Sequence, residues 1–265
     1  MASPLVPMFD ACRAEDRAAL IGYLPAGYPT VADAKRVLGV MLESGCDLVE
    51  VGLPFSDPVM DGPTIQAASD RALRNGFRVR DLFTTVESIA RAGGRAVVMT
   101  YWNPVHHYGV DAFARDLAAA GGLGVITPDL VPDEAEDWLA ASDAHGLDRI
   151  FLIAPSSTEE RIALTAAASS GFVYATSLMG VTGARNVVSN AAGTLVRRAR
   201  AHTALPVAVG LGVRSGAQAA EVAGFADGVI VGSAFVTAAL DGDAAVRDLA
   251  TELADGVRRA AAQPA

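Results

Sequence analysis

Short apolar runs rich in valine and isoleucine recur along the chain, at residues 20–24, 47–52, 95–101, 123–127, 149–154, 172–177, 206–210 and 228–232. Most are near-continuous rather than alternating, the pattern of strands covered on both faces in a parallel sheet. Between them lie stretches that read as helix starts: TVAD from Thr30, PDEAE from Pro132 and STEE from Ser157, each with an early acidic residue that suits a helix N-terminus. Strand starts fall about 30 residues apart, the size of a βα unit with its return. The gap between the second and third runs is longer and leaves room for an extra loop and helix. Residues 246–265 read as a final helix with a frayed end. Eight alternations of strand and helix predict a single (β/α)8 TIM barrel over residues 1–265, with an extra N-terminal helix and an additional loop and helix after strand 2. An open doubly wound sheet is the alternative. It would usually announce a nucleotide site at its first turn, and GYLPAG at residues 22–27 is not a GxGxxG fingerprint.

Composition narrows the class. Of 265 residues 51% are hydrophobic and 19% charged, too apolar for a disordered chain. With 21 basic and 30 acidic residues the net charge is −9, and no basic block offers the footprint of a nucleic-acid binder. The start, MASPLVPMFD, has neither the charged nor the apolar region of a secretory signal. Residues 228–240 form the longest nearly apolar run, interrupted by Ser233 and Thr237 and too short to span a bilayer. Cys12 and Cys46 lie far apart with no zinc-ligand or disulfide spacing. A soluble, cytoplasmic protein without a bound metal is the expectation.

In a barrel the chemistry gathers at the C-terminal ends of the strands. Glu50 sits inside the second apolar run and shares a strand face with Leu48 and Gly52, opposite Val49 and Val51. If that face points inward, an ionised carboxylate is costly there and its pKa rises, as a general acid working near neutrality requires. A structural glutamate paired with an arginine is the competing reading. The following segment, PFSDPVMDGPTIQ at residues 54–66, carries two carboxylates with three prolines and a glycine, so it is a shaped loop. Pro63 suits the first position of the next helix. Asp57, before a proline, reads more readily as a turn residue than Asp61 does. Late in the chain MGVTGA (179–184), Gly210 to Gly212 and VGSA (231–234) place glycines at three successive strand exits, which suits a phosphate cradle of backbone N–H groups. Other candidates fall away. His106 and His107 are adjacent and read as part of a surface loop, and His145 and His202 fall near helix ends. The only lysine, Lys35, lies in a predicted helix, which argues against a Schiff-base aldolase.

Taken together, EVGLPFSDPVMDGPTIQ at residues 50–66 closely resembles the signature of the tryptophan synthase alpha subunit family. GVTG at 180–183, the turn at 210–212 and VGS at 231–233 follow in the matching order, and the likeness runs from about residue 20 to residue 240. The resemblance implies a TIM barrel that cleaves indole-3-glycerol phosphate to indole and glyceraldehyde 3-phosphate without a metal or organic cofactor of its own. It implies Glu50 and Asp61 as the catalytic pair, and Tyr174 as a residue packed on the substrate. Tyr23, Met99 and Ile126 would line the indole slot, with phosphate held at Gly183, Gly212, Gly232 and Ser233. It also implies an αββα heterotetramer with a β subunit that carries pyridoxal phosphate. Docking is expected on the C-terminal rim, through the 54–66 loop, residues 103–108, Met60 and Trp102.

One departure stands out: many family members have arginine after the serine matching Ser177, and here Leu178 and Met179 follow. Arg185 is the candidate substitute. Two rivals are open on sequence. A phosphosugar isomerase with the same terminal phosphate site would need acid/base residues after strands 1 and 5, where GYLPA and FLIAP stand instead. A barrel that only binds and activates a partner would not need both Glu50 and Asp61.

Overall fold

A computed structural model describes residues 3–176, 185–210 and 212–259. Among these residues nine parallel strand segments form one sheet: β1 (Ala19–Pro25), β2 (Leu48–Gly52), β3 (Ala96–Met99), β4 (Gly124–Ile126), β5 (Asp148–Ile150), β6 (Leu152–Ile153), β7 (Val173–Thr176), β8 (Val207–Gly210) and β9 (Gly228–Val231). Their order is β5-β4-β3-β2-β1-β9-β8-β7-β6. The two segments at the ends of that order are separated by Phe151 alone, so they are halves of one strand and the sheet closes on itself. Asp148 pairs with Gly124 on one side, and Leu152 pairs with Tyr174 on the other. The eight predicted strands are therefore all present, with the fifth split where it changes partners.

The helices are α1 (Val6–Ala14), α2 (Val31–Glu43), α3 (Pro63–Arg74), α4 (Val79–Arg91), α5 (Trp102–Tyr108), α6 (Val110–Ala119), α7 (Glu136–His145), α8 (Glu159–Ala168), α9 (Arg185–Arg200), α10 (Gly216–Ala223), α11 (Ser233–Asp241) and α12 (Asp243–Arg259). The N-terminal helix is α1, and α3 is the additional helix after the second strand. Local chemistry sets several starts. Thr30 caps α2 by accepting from the Asp33 N–H, Thr158 caps α8 through Arg161, and Pro63 opens α3. Three expectations are corrected. His106 and His107 belong to α5, whose turn runs on from Trp102, rather than to a loop. Pro132 opens only a 3-10 turn, and α7 begins at Glu136. The final helix begins at Asp243, ahead of the expected residue 246.

Alternation along the strands divides the core in two. Ile21, Leu48, Val97, Ile126, Ile150, Phe172, Ala208 and Ile230 form the barrel interior, and Leu5, Met8, Phe9 and Cys12 from the α1 segment plug its N-terminal end. Val49, Val51, Val98, Val125, Val173, Val209 and Val229 face outward into the helical ring. The valine-rich runs look uniformly apolar because both faces are covered. Among the described residues no helix is long and apolar enough to cross a membrane.

Candidate active site

Glu50 has the orientation that its neighbours dictate. Leu48 lies in the interior cluster while Val49 and Val51 lie in the outer one, so the glutamate faces the barrel interior. It is 1% exposed, and its Oε1 has no hydrogen-bond partner among the described residues. Among the described residues no arginine forms an ion pair with it. Burial drives its carboxyl pKa up to about 8, so the neutral acid predominates at neutral pH.

Two tyrosines share this interior. Tyr23 is the β1 register partner of Glu50, and Tyr174 comes from β7. Each ring lies across a glycine in the wall. A Cβ on Gly52 would stand 2.4 Å from the Tyr23 hydroxyl, and one on Gly210 would stand 2.5 Å from the Tyr174 hydroxyl. Burial holds both phenol pKa values well above the usual range, with the Glu50 charge adding to both and the Asp61 charge adding at Tyr23. Both phenols are therefore neutral donors, within electrostatic reach of Glu50.

Asp61 is carried on the loop between β2 and α3. Three contacts shape that loop: the Leu53 N–H donates to the Met99 carbonyl, the Gln66 amide donates to the Asp61 carbonyl at 2.7 Å, and Gly62 caps α3 ahead of Pro63. The Asp61 carboxyl is half-buried. Burial raises its pKa, and a hydrogen bond from the Tyr101 hydroxyl at 3.2 Å opposes that rise. The sequence pattern puts Tyr101 at the end of the third apolar run without marking it as a functional residue. A tyrosine at a barrel strand's C-terminal end was the available signal.

The remaining sequence candidates fall as follows. Met99 is half-buried on the inward face of β3, and Ile126 is fully buried in the interior layer with Val97 and Ile150. Gly232 is the N-cap of α11, no side chain caps that helix, and Ser233 is its first residue. The position where a Gly232 Cβ would stand is 3.6 Å from the Tyr23 ring, so the start of α11, whose first N–H groups lack partners within the helix, lies beside the same interior. Gly212 adopts φ +65°, a left-handed turn that glycine supplies without strain. Gly183, Leu178 and Met179 lie outside the described residues, and Arg185 begins α9.

A separate cavity of about 350 Å³ opens at the opposite end, lined by Phe9, Arg13, Arg17, Arg200 and Asp227. Its arginines are already paired, with Asp10, with Asp47 and Glu15, and with Asp227. The candidate site lies at the other rim, which carries an inward glutamic acid, a half-buried aspartate, two phenols and a helix start without a side-chain cap.

A model of the tryptophan synthase alpha chain family matches residues 9–262. The tryptophan synthase alpha chain of Mycobacterium marinum is 69% identical over 258 residues, covering 97% of this chain and 96% of that one. The crystal structure of tryptophan synthase from M. tuberculosis in its aminoacrylate-bound form superposes with a TM-score of 0.91 at 63% identity, covering 97% of this chain and 100% of that one. Tryptophan synthase subunit alpha from Legionella pneumophila str. Paris gives a TM-score of 0.87 at 30% identity, with 99% of both chains covered.

Proposed function

The chain belongs to the tryptophan synthase alpha chain family, lyases that cleave indole-3-glycerol phosphate in tryptophan biosynthesis, and we propose that Glu50 and Asp61 carry that cleavage here. The bond to be broken joins indole C3 to C3′ of the glycerol phosphate side chain. Indole C3 is a poor carbanion, so direct heterolysis is slow. Protonation solves this: Glu50, as the neutral acid, gives its proton to C3 while the ring nitrogen supplies electrons. The product is an indolenine bearing positive charge at nitrogen. Asp61, ionised, stabilises that charge through the indole N–H. Glu50, now a carboxylate, takes the proton of the C3′ hydroxyl. The C3–C3′ electron pair returns to the ring, releasing indole and the aldehyde of glyceraldehyde 3-phosphate with Glu50 protonated again.

The observation that carries this reading is the buried Glu50 carboxyl, whose Oε1 has no hydrogen-bond partner among the described residues and whose pKa is raised to about 8. A group that gives and then takes a proton works best near the ambient pH. Tyr23, Met99, Ile126 and Tyr174 form the indole slot in this reading. The phosphate is held by N–H groups at Gly232 and Ser233, with Gly212 and Gly183 completing the cradle.

Pyridoxal phosphate does not fit this chain. The single lysine, Lys35, lies on α2 in the outer ring, so no lysine faces the interior to hold an aldehyde. We assign that cofactor to a β partner in an αββα assembly. The docking surface is the C-terminal rim, where Val59 and Met60 are 77% and 48% exposed at the tip of the Asp61 loop. The test is an assay of purified chain with indole-3-glycerol phosphate, with and without the β chain. Release of indole supports the reading, and no cleavage under either condition overturns it.

A further inference from the structure

We propose that Tyr101 is a positioning residue for Asp61, whose hydroxyl fixes both the place and the ionised state of that carboxylate. The inference rests on the reading of Asp61 given above. Tyr101 follows β3, is 6% exposed, and packs its ring against Phe55 with centroids 5.3 Å apart. Its hydroxyl makes two bonds to adjacent residues of the loop. It accepts from the Met60 N–H at 3.0 Å and donates to Asp61 Oδ1 at 3.2 Å.

The two bonds have directions that reinforce each other. A phenol has one proton, and the Met60 N–H occupies the acceptor side of the oxygen, so the O–H is turned to Asp61. Burial pushes the Tyr101 pKa up to about 12, which keeps that proton in place. For Asp61 the contest is between burial, which favours a neutral acid, and the Tyr101 bond, which favours the carboxylate. Only the carboxylate stabilises positive charge on the indole nitrogen. The Met60 bond meanwhile pins the backbone one residue before Asp61, in a loop whose Val59 and Met60 side chains gain little from burial. The turn between β3 and α5 thus holds a residue that is borne on a different element.

The alternative is a tyrosine that only fills space beneath the loop. Tyr101→Phe separates the two, because it keeps the ring and removes the hydroxyl. Tyr101→Leu is a second route to the same loss. In the full chain labelled with carboxyl-13C aspartate, the Asp61 resonance is assigned by its disappearance in Asp61→Asn and titrated by NMR. The expected result is an Asp61 midpoint raised by about one pH unit, a tenfold change in its ionisation. The acid limb of kcat/KM for indole-3-glycerol phosphate moves up with it. An unchanged midpoint, with activity lowered equally at every pH, overturns the proposal. If Asp61→Asn cleaves at the parent rate, the catalytic reading of Asp61 fails, while the NMR midpoint still decides the role of Tyr101.

Discussion

The phenol of Tyr23 lies across Gly52, so close that a Cβ on the glycine would stand 2.4 Å from the tyrosine hydroxyl. Gly52 is two residues beyond Glu50 on the same inward face of β2. The missing side chain therefore leaves a recess in the wall into which the ring of Tyr23 packs. Gly210 does the same for Tyr174 from the other side.

Filling that recess is expected to move the ring into the substrate's space. Gly52→Ala should raise KM for indole-3-glycerol phosphate by about tenfold and cost about 1–3 kcal/mol of stability, as overpacking does. A double-mutant cycle with Tyr23→Leu checks the cause, since neighbours in contact are not additive. The alanine should cost much less when the ring is gone. Equal costs in the two backgrounds would show that Gly52 matters for some other reason.

Glu50 must hold a proton for the first step, so kcat/KM of the free chain should fall as pH rises through about 8. Glu50→Gln cannot deliver a proton and should lose about 10²-fold or more in turnover, with substrate binding largely kept. Indole release measured across the pH range checks both outcomes. A profile level from neutrality to about pH 10, or a loss below about tenfold in the glutamine variant, would rule out the general-acid role.

The same carboxyl makes a prediction about stability. Below about pH 4.5 the folded and unfolded chains both hold the proton. Between about 4.5 and 8 the unfolded chain has released it while the folded chain keeps it, so rising pH favours unfolding; above about 8 the cost is complete. Glu50→Gln has no such cost. Its stability relative to the parent should therefore increase with pH, by a few kcal/mol from acid to alkaline conditions. Urea unfolding of both chains at either extreme measures this, and a pH-independent difference would contradict a glutamate buried as a neutral acid.

Much of this site was legible because its signals are local. The inward face of Glu50 follows from Leu48 and the valines on either side, since strand alternation needs only neighbouring residues. Pro63, Thr30 and Thr158 mark helix starts by chemistry confined to one turn. The signals that failed are those whose partner is far along the chain. The Tyr101 hydroxyl is defined by Met60 and Asp61, about forty positions earlier, and nothing around residue 101 announces them. The break at Phe151 arises where one strand exchanges β4 for β7, a tertiary event with no composition of its own. His106 and His107 read as loop from sequence because they follow Asn103-Pro104, a pair that favours turns. Here that proline falls within the first turn of α5, where its missing N–H costs nothing.

The exposed pair at the loop tip should matter to assembly more than to folding. Met60 is 48% exposed, so Met60→Asp removes little buried area from the isolated chain. Against a β partner it would place an unpaired charge in an apolar contact, which typically costs 2 kcal/mol or more, or about thirtyfold in Kd. Binding of the β chain, measured by calorimetry alongside thermal melting of the variant alone, separates the two effects. Unchanged affinity would move the docking surface elsewhere on the rim.

Ser233 offers the sharpest test of the phosphate end. It is the first residue of α11, and Gly232 before it leaves the helix start without a side-chain cap. Four N–H groups at a helix N-terminus are unpaired within the helix, and they attract an anion without any lysine or arginine. A net charge of −9 is therefore no obstacle to holding a phosphate, because the field that matters is local. Ser233→Asp keeps a good residue for a helix start while placing a negative charge where the phosphate would sit. The expected result is a KM for indole-3-glycerol phosphate raised tenfold or more, with the inhibition constant of free indole unchanged, because indole carries no phosphate. Loss of affinity for both molecules would mean that the slot itself had been deformed. No change for either would place the phosphate away from α11.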